Sequence, residues 1–201
     1  MKIIGLCGGS GAGKTAASEI MSTFGAAVID TDRVYRDISG AGSECTSELA
    51  DTFGDGIITK SGELDRAALA KLVYSDGEAR AKLNRITHKY IKAETLRRLE
   101  VYRSLSFPAA IVDAPLLFES GFDAMCDATV GVIADTQLRV GRIIKRDGIS
   151  ESQARARIAA QLSDDELCRR CGYIIKNNGS ADELYQTTAR VYNKIITGAA
   201  T

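Results

Sequence analysis

Residues 8–15 read Gly8-Gly9-Ser10-Gly11-Ala12-Gly13-Lys14-Thr15, and they follow the apolar run Ile3-Ile4-Gly5-Leu6-Cys7. The spacing matches G-x-x-x-x-G-K-[ST] without a mismatch, which is typical of a strand that leads into a phosphate-binding loop at the start of a helix. Because glycine has no Cβ, the loop backbone can turn its N–H groups toward an oxyanion and approach it closely. The stretch therefore predicts a nucleoside triphosphate site within the first fifteen residues.

Two side chains of this stretch are suited to phosphate chemistry. Lys14 can bridge the β- and γ-phosphates as a point charge, and the Thr15 hydroxyl is a suitable ligand for Mg²⁺. A glycine-rich turn that binds nothing is the alternative interpretation. It is disfavoured because a strand precedes the loop and because apolar residues recur at helical spacing over 14–24, with Gly25 directly after them.

The composition is that of an ordinary globular protein of 201 residues. Hydrophobic residues make up 45% of the chain, and 26 basic residues balance 26 acidic ones to a net charge of zero. Since non-specific nucleic-acid binding needs a marked basic excess, we expect no nucleic-acid partner. We see no signal-peptide pattern and no apolar run near the ~18 residues of a membrane span, so we expect a cytoplasmic protein without a membrane partner. The sequence leaves a monomer or a small homo-oligomer open.

The five cysteines form no framework of regular spacing, and in a cytoplasmic protein we expect them to be reduced. Cys168 and Cys171 make one C-x-x-C pair, but a zinc site would need a second pair of ligands. His88 is the only histidine, and a surface or hydrogen-bonded position on a helix is favoured for it over acid–base catalysis. The C-x-x-C pair is interpreted as two neighbouring positions on a short helix.

Five short apolar runs alternate with helical stretches, which predicts an α/β P-loop three-layer fold with a five-stranded parallel sheet. In such sheets ligands lie beyond the carboxyl ends of the strands. The predicted strands are Lys2–Cys7, Ala27–Asp30, Ala109–Asp113, Ala128–Ile133 and Tyr173–Ile175.

Two insertions interrupt the alternation and divide the chain. The core is predicted to comprise 1–31, 107–134 and 171–201. The first insertion, 32–106, looks wholly helical, with helices over 65–74 and 76–105. The second insertion, 135–170, has the length of a lid. Its predicted helices cover 136–147, 151–162, where Ser150 and Gln153 form a capping box, and 164–171.

Acidic residues follow two of the predicted strands. Asp30 and Asp32 come after the second strand, and one of them can serve as the N-cap of the next helix. We assign that structural role to Asp30 and expect Asp32 to face the crevice, where a carboxylate could orient an acceptor hydroxyl or take its proton. Asp113 ends the third strand, where an acidic residue can hold Mg²⁺ directly or through water; a simple turn position is the alternative.

Three arginines of the second insertion share one helix face. Arg139, Arg142 and Arg146 lie at i, i+3 and i+7, while Leu138 and Val140 are among the apolar residues assigned to the opposite face. Such a stripe is often only solvated surface. Beside a triphosphate site it favours a lid whose guanidinium groups grip a transferring phosphoryl group.

Taken together, these residues resemble the dephospho-coenzyme A kinases over nearly the whole chain. The loop alone is shared by many enzymes, whereas the Leu-Asp-Arg and Asp-x-Pro-Leu-Leu-Phe-Glu strings are far more specific. The matching strings are 4–15, Ile29-Asp30-Thr31-Asp32, Gly62-Glu63-Leu64-Asp65-Arg66, 112–121, 137–146, Arg155-Ala156-Arg157-Ile158 with Gln161, and Asn177-Asn178-Gly179.

The resemblance implies ATP-dependent phosphorylation of the ribose 3′-hydroxyl of dephospho-CoA, giving CoA and ADP in the last step of CoA synthesis, with Mg²⁺ accompanying ATP. It implies that 32–106 binds the acceptor. The implied catalytic residues are Lys14, Asp32, Arg142 and Arg146; the ATP-binding residues are Gly9, Gly11, Ala12, Gly13, Lys14, Thr15, Ala16 and Asn177; the acceptor-binding residues are Asp32, Leu64, Asp65, Arg66, Leu117, Phe118 and Glu119; the lid residues are Arg139, Arg142, Arg146, Arg155, Arg157 and Gln161; the metal ligands are Thr15 and Asp113.

The chain departs from the family pattern at two places. Thr31 stands where the family commonly has alanine, a small change. Lys89 follows His88 where the family commonly has proline, a residue that favours the start of a helix. Its absence predicts one continuous helix through this point.

Other functions are less consistent with the chain. A P-loop kinase of a nucleoside monophosphate, shikimate or gluconate would share the loop and the lid, but an insertion of roughly 70 residues is generous for a small acceptor. A GTPase is disfavoured because Asp51-Thr52-Phe53-Gly54 does not follow an apolar strand and no Asn-Lys-x-Asp motif occurs. A nucleotide-binding protein without catalysis is the third alternative.

Overall fold

The fold, seen in a computed structural model that describes residues 1–74 and 76–198, is arranged around five strands. The strands are β1 (Lys2–Gly8), β2 (Ala27–Asp30), β3 (Ala109–Asp113), β4 (Ala128–Ile133) and β5 (Tyr173–Lys176). They form one sheet in the order β2-β3-β1-β4-β5, and β1 pairs in parallel with both β3 and β4. The predicted five-stranded parallel sheet is confirmed.

Helices flank the sheet and fill both insertions. They are α1 (Lys14–Thr23), α2 (Thr31–Ile38), α3 (Glu44–Phe53), α4 (Arg66–Tyr74), α5 (Gly77–Ser104), α6 (Thr136–Asp147), α7 (Glu151–Ala159), α8 (Asp164–Arg170) and α9 (Ala181–Thr197). The chain divides into two compact units, Met1–Val28 with Tyr102–Thr201, and Ile29–Val101.

The core of the first unit lies between the sheet and two helices. Ile4 and Leu6 of β1 and Val132 of β4 are fully buried, as the uninterrupted apolar runs of the central strands predict. Met21 of α1 and Tyr192 of α9 pack in the same cluster. Burial of this apolar area is the main stabilising contribution to the unit.

The helices of the second insertion begin at serine caps. Ser150 and Gln153 form the predicted capping box of α7. The predicted end of α7 is wrong by three residues, since the helix stops at Ala159. Ser163 explains the difference. Its extended backbone and its side chain form the N-cap of α8, so Gln161 and the residue after it leave the helical path.

The second unit has its own apolar core beneath α3, α4 and α5. Leu49, Ile57 and Ile86 are buried there. The expectation of a wholly helical insertion is wrong over 58–64, where Ile58 and Leu64 form an antiparallel bridge across a tight turn. The N–H of Thr59 donates to Glu63 O at 2.8 Å and closes this turn.

Helix α5 runs without a break past His88, as the lysine in place of proline predicts. Lys89 Nζ lies 2.7 Å from Glu48 Oε2 of α3, and the Tyr90 hydroxyl donates to the same oxygen at 2.7 Å. Lys89 thus links α5 to α3. These contacts, with the Lys89 contribution first, lower the pKa of Glu48.

Within residues 1–74 and 76–198, no helix is long and apolar enough to cross a membrane. No three His, Cys, Asp or Glu side chains in the same ranges come together as metal ligands. Cys168 is exposed on α8, and Cys171 is the residue that ends this helix.

Candidate functional site

The predicted phosphate loop connects β1 to α1 with a backbone that only glycine adopts readily. Gly11 and Gly13 have φ of 77° and 100°, in the left-handed region. Both positions are also crowded, because a Cβ at Gly11 would lie 2.7 Å from Arg139 O and one at Gly13 would collide with Asn177 Nδ2. Gly13 starts α1 without a side-chain cap, so the first-turn N–H groups are available to an anion.

Lys14 and Asp113 meet at the carboxyl edge of the sheet. Strands β1 and β3 are neighbours with Leu6 in register with Asp113, which brings the end of β3 beside the loop. Lys14 Nζ forms an ion pair with Asp113 Oδ1, and only 6% of Asp113 is exposed. Thr15 follows on the first turn of α1. A cation, a carboxylate and a hydroxyl are therefore concentrated next to the loop.

Three successive carbonyl groups of the loop accept hydrogen bonds from side chains outside the loop. Arg139 Nε donates to Ser10 O at 3.0 Å, Arg142 Nη1 to Gly11 O at 3.2 Å, and Asn177 Nδ2 to Ala12 O at 2.8 Å. A loop that turns its N–H groups toward a phosphate turns its carbonyls away, and buried carbonyls need donors. These side chains supply them and fix the loop in its anion-binding shape.

Arg139 is the most buried of these groups, with 3% of the residue exposed. Its guanidinium also reaches Asp164 Oδ1 at 3.2 Å and Gln161 Oε1 at 3.3 Å, and Gln161 Oε1 accepts the Ser10 N–H at 2.8 Å. Burial lowers the pKa of Arg139, an effect that the Asp164 carboxylate opposes. The expectation of one apolar face opposite the arginines needs correction, since Leu138 is 40% exposed whereas Arg139 is buried.

The other arginines of the second insertion are divided between the loop and internal ion pairs. Arg142 also donates to Asn177 O at 3.0 Å. Arg146 contacts Ser10 Oγ at 3.4 Å and pairs with Asp147 at 2.7 Å. Arg146 and then Arg157, which also pairs with Asp147, lower the pKa of Asp147 to about 2.

Two of the predicted lid residues bond to other side chains of the second insertion. Arg155 bonds to Glu151 and Gln137 on α7 and α6, and Arg157 bonds to Asp147. Four of the predicted lid residues contact the phosphate loop. They are Arg139, Arg142, Arg146 and Gln161.

A partly apolar cleft opens beside the loop. It is lined in part by Gly9 of the loop, by Leu116, Phe118 and Glu119 from the segment after β3, and by Leu162 from the connection to α8. Phe118 and Glu119 thus line the cleft, as expected of side chains that could contact a ligand. Leu117, predicted with them, is fully buried in the core instead.

The remaining predicted residues belong to the second unit. Asp30 caps α2, because its Oδ1 accepts the N–H groups of Asp32 at 2.8 Å and of Arg33 at 3.1 Å. This confirms the structural role assigned to Asp30. Asp32 itself is exposed on the first turn of α2.

Leu64, Asp65 and Arg66 have structural contacts that the sequence did not indicate. Leu64 is 7% exposed within the apolar core of the second unit. Asp65 Oδ1 accepts the Ala68 N–H at 2.9 Å at the start of α4. Arg66 donates to Ser39 Oγ at 2.7 Å and lies over the Tyr35 ring at 4.9 Å. This string therefore stabilises the unit whatever it binds.

Sequence reasoning missed Asp164, the acidic partner of Arg139. The only signal in the sequence was the acidic first turn of α8 after the Ser163 cap, and this signal does not indicate which residue Asp164 contacts. Its contact depends on the tertiary packing of α8 against α6, which periodicity does not predict.

The loop, its position after β1 and the sheet order define a P-loop kinase fold. A family model described as "Dephospho-CoA kinase" matches residues 2–183. The chain belongs to the dephospho-CoA kinase family, an enzyme family whose reaction is the last step of CoA biosynthesis.

Individual relatives agree with this assignment. A dephospho-CoA kinase of Symbiobacterium thermophilum is 41% identical over 182 residues, which is 90% of this chain and 76% of the relative. The structure of a Campylobacter jejuni dephospho-CoA kinase matches with a TM-score of 0.72 and 26% identity over 98% of each chain. A Thermus thermophilus structure gives a TM-score of 0.83 at 28% identity, over 100% of this chain and 98% of that one.

The alternative functions are not favoured. A shikimate kinase of Acinetobacter baumannii has a TM-score of 0.54 at 14% identity over 100% of this chain and 96% of that one, a likeness that shows the fold alone. The Asp51–Gly54 string ends α3 and follows no strand in the structure, which also counts against a GTPase.

Proposed function

We propose that this chain transfers the γ-phosphoryl group of ATP to the ribose 3′-hydroxyl of dephospho-CoA, giving CoA and ADP. The observation that supports this most directly is the phosphate loop beside the Lys14–Asp113 pair, in a chain of this family. We assign ATP binding to the core, 1–31, 107–134 and 171–201, acceptor binding to 32–106, and the lid to 135–170. The proposed setting is the cytoplasm, as a monomer or a small homo-oligomer, without nucleic acid or a membrane.

The loop and its supports would bind the donor. Loop N–H groups and the start of α1 take the phosphates, and Lys14 bridges the β- and γ-phosphates as negative charge shifts toward the leaving oxygen. The supporting contacts of Arg139, Arg142 and Asn177 keep these N–H groups in place before ATP arrives. No reorganisation is then needed during transfer.

Mg²⁺ is the ion that this donor site fits. Thr15 and Asp113 offer a hydroxyl and a buried carboxylate, which are the hard oxygen ligands that Mg²⁺ takes in addition to substrate phosphates. When bound, the ion neutralises charge on the β- and γ-phosphates. The ion pair with the Lys14 ammonium compensates the negative charge of the Asp113 carboxylate.

The acceptor and the lid complete the proposed mechanism. Asp32 orients the 3′-hydroxyl and accepts its proton. Because an aspartate is a weak general base at neutral pH, orienting the hydroxyl is the larger of its two contributions to the rate. Arg142 and Arg146 provide positive charge for the transferring group, and lid closure excludes water that would compete as acceptor. Leu64, Asp65, Arg66, Phe118 and Glu119 are the proposed acceptor contacts, and Leu117 supports them from the core.

A coupled ADP-release assay tests the proposal. Dephospho-CoA is compared with AMP, shikimate, gluconate and adenosine at equal concentration, and the expected result is turnover with dephospho-CoA far above the others. Product analysis by mass and by phosphorus NMR should place the new phosphate on the 3′ oxygen. Equal or better turnover of any other acceptor would overturn the assignment.

The loop supports make a further prediction for Arg139. Arg139→Ala leaves Ser10 O and Asp164 without their donor, and a lost buried hydrogen bond costs about 1–3 kcal/mol. We expect KM for ATP to rise by about tenfold or more, with a lower melting temperature. Steady-state kinetics at saturating dephospho-CoA measures the effect.

Arg155→Ala is the matched control, because Arg155 is exposed and bonds to Glu151 and Gln137 within the second insertion. Its kinetics should remain close to those of the parent. A folded Arg139→Ala protein with an unchanged KM for ATP would exclude the loop-supporting role.

A further inference from the structure

Two cysteines far apart in the chain meet beside the phosphate loop. Cys7 precedes the last residue of β1 and is buried, and Cys171 ends α8 just before β5. Their sulfur atoms lie 3.5 Å apart, although 164 positions separate them in sequence. Neither sulfur has a role in the proposed transfer reaction.

Strand β4 lies between these two cysteines, and a glycine makes their contact possible. Cys7 of β1 pairs with Gly131 of β4, and Gly131 pairs with Ile174 of β5. A Cβ at position 131 would lie 3.0 Å from Cys171 Sγ, inside normal contact distance. The missing side chain leaves a gap above β4 in which the two sulfur atoms approach each other.

The two thiols have unequal acidity. The hydrogen bond with Cys7 lowers the pKa of Cys171, and the same contact, together with burial, raises the pKa of Cys7. Cys171 is also the more exposed of the two. Its greater accessibility favours Cys171 as the attacking thiol and Cys7 as the resolving thiol.

We propose that Cys7 and Cys171 form a redox-active dithiol that small-molecule disulfides close to a disulfide bond, changing the strand end that carries the phosphate loop. This modification site takes no part in the transfer step itself, although Cys7 also lines the cleft beside the loop. Its effect on turnover rests on the proposed function; its chemistry does not.

The exchange proceeds in two balanced steps. The Cys171 thiolate attacks one sulfur of a disulfide R–S–S–R, forming a Cys171–S–S–R bond and releasing RS⁻. Cys7 loses its proton to RS⁻ or solvent and attacks the Cys171 sulfur, so that a second RS⁻ leaves. The two protein thiols are oxidised by two electrons, and R–S–S–R is reduced to two thiols.

Closure must move the sulfur atoms. A disulfide bond is about 2.05 Å long, so the present separation of 3.5 Å has to shorten by about 1.5 Å. Gly8 and the loop follow Cys7 directly, and a packed interior transmits such a shift instead of absorbing it. We expect the closed form to have a raised KM for ATP and lower turnover, restored by dithiothreitol.

Oxidised glutathione applied to the full chain tests the site. Thiol titration and intact mass should show loss of two of the five thiols without a glutathione adduct, and non-reducing peptide mapping should join the peptides of Cys7 and Cys171. Cys171→Ser and Cys7→Ala should each abolish this bond. Cys168→Ser should leave it unchanged, because Cys168 is the exposed C-x-x-C neighbour that would provide the rival pair.

Three results would overturn the inference. They are a Cys168–Cys171 bond, a stable glutathione adduct on Cys171 with Cys7 still free, and no change in thiol count. Unchanged turnover in the closed form would overturn the coupling to the loop. Absence of kinase activity in the reduced chain would instead refute the proposed function and leave the thiol measurements unaffected.

Discussion

Lys14→Ala is expected to lower kcat by about 10²–10³-fold, equivalent to about 3–4 kcal/mol of lost transition-state stabilisation. Lys14 provides the only side-chain cation of the phosphate loop. Its ammonium group is ion-paired with Asp113 at the carboxyl edge of the sheet. Charge that builds on the β–γ bridging oxygen during transfer would lose its nearest compensation. Steady-state kinetics with saturating ATP, Mg²⁺ and dephospho-CoA measures the loss.

The Lys14 experiment needs a control for folding, because the substitution also leaves the buried Asp113 carboxylate without its ion pair. Circular dichroism and a thermal melt show whether the protein remains folded. The Lys14→Ala, Asp113→Asn double variant also removes the carboxylate charge, and it should not recover kcat. Lys2→Ala, at the opposite end of β1, serves as the matched control. Near-normal turnover of folded Lys14→Ala would refute the role of Lys14.

Most of the sheet could be predicted because its signal is local. A run of four to six apolar residues between helical segments marks a buried parallel strand, and the bounds of β2, β3 and β4 agree with those predicted. Helix ends were less predictable, as α7 shows, since the next helix cap decides them. The 58–64 turn was missed because a single bridged pair leaves no periodic pattern.

The site was predictable only where one motif contains it. The loop predicted Lys14 directly, and strand-end placement found Asp113. Arg139 was expected to face solvent or phosphate, yet it is buried against Ser10 O through contacts that connect three separate segments. The pairing of Cys7 with Cys171 likewise depends on strand order, since β4 brings β1 and β5 to either side of Gly131. Such contacts exist only after the sheet has assembled.

Asp32→Asn is expected to lower kcat by about 10²-fold or more, while KM for ATP stays near the parent value. An amide keeps the size of the side chain and removes its capacity to accept the hydroxyl proton; general-base groups contribute about 10²–10⁴-fold. If Asp32 mainly orients the acceptor, the loss should be at the lower end of that range, with a raised KM for dephospho-CoA. Rates at saturating concentrations of both substrates distinguish these outcomes.

Asp30→Asn provides the matched control two residues away. Asp30 caps α2 through the N–H groups of Asp32 and Arg33, and asparagine is an equally good N-cap residue. Turnover and melting temperature should therefore remain close to those of the parent. The pair of variants separates chemistry from helix stability, because both remove one negative charge from the start of α2 and only one removes the proposed acceptor group. Near-normal kcat for Asp32→Asn would refute the role assigned to Asp32. Equal losses for both variants would show that Asp32 acts through the helix and not on the acceptor hydroxyl.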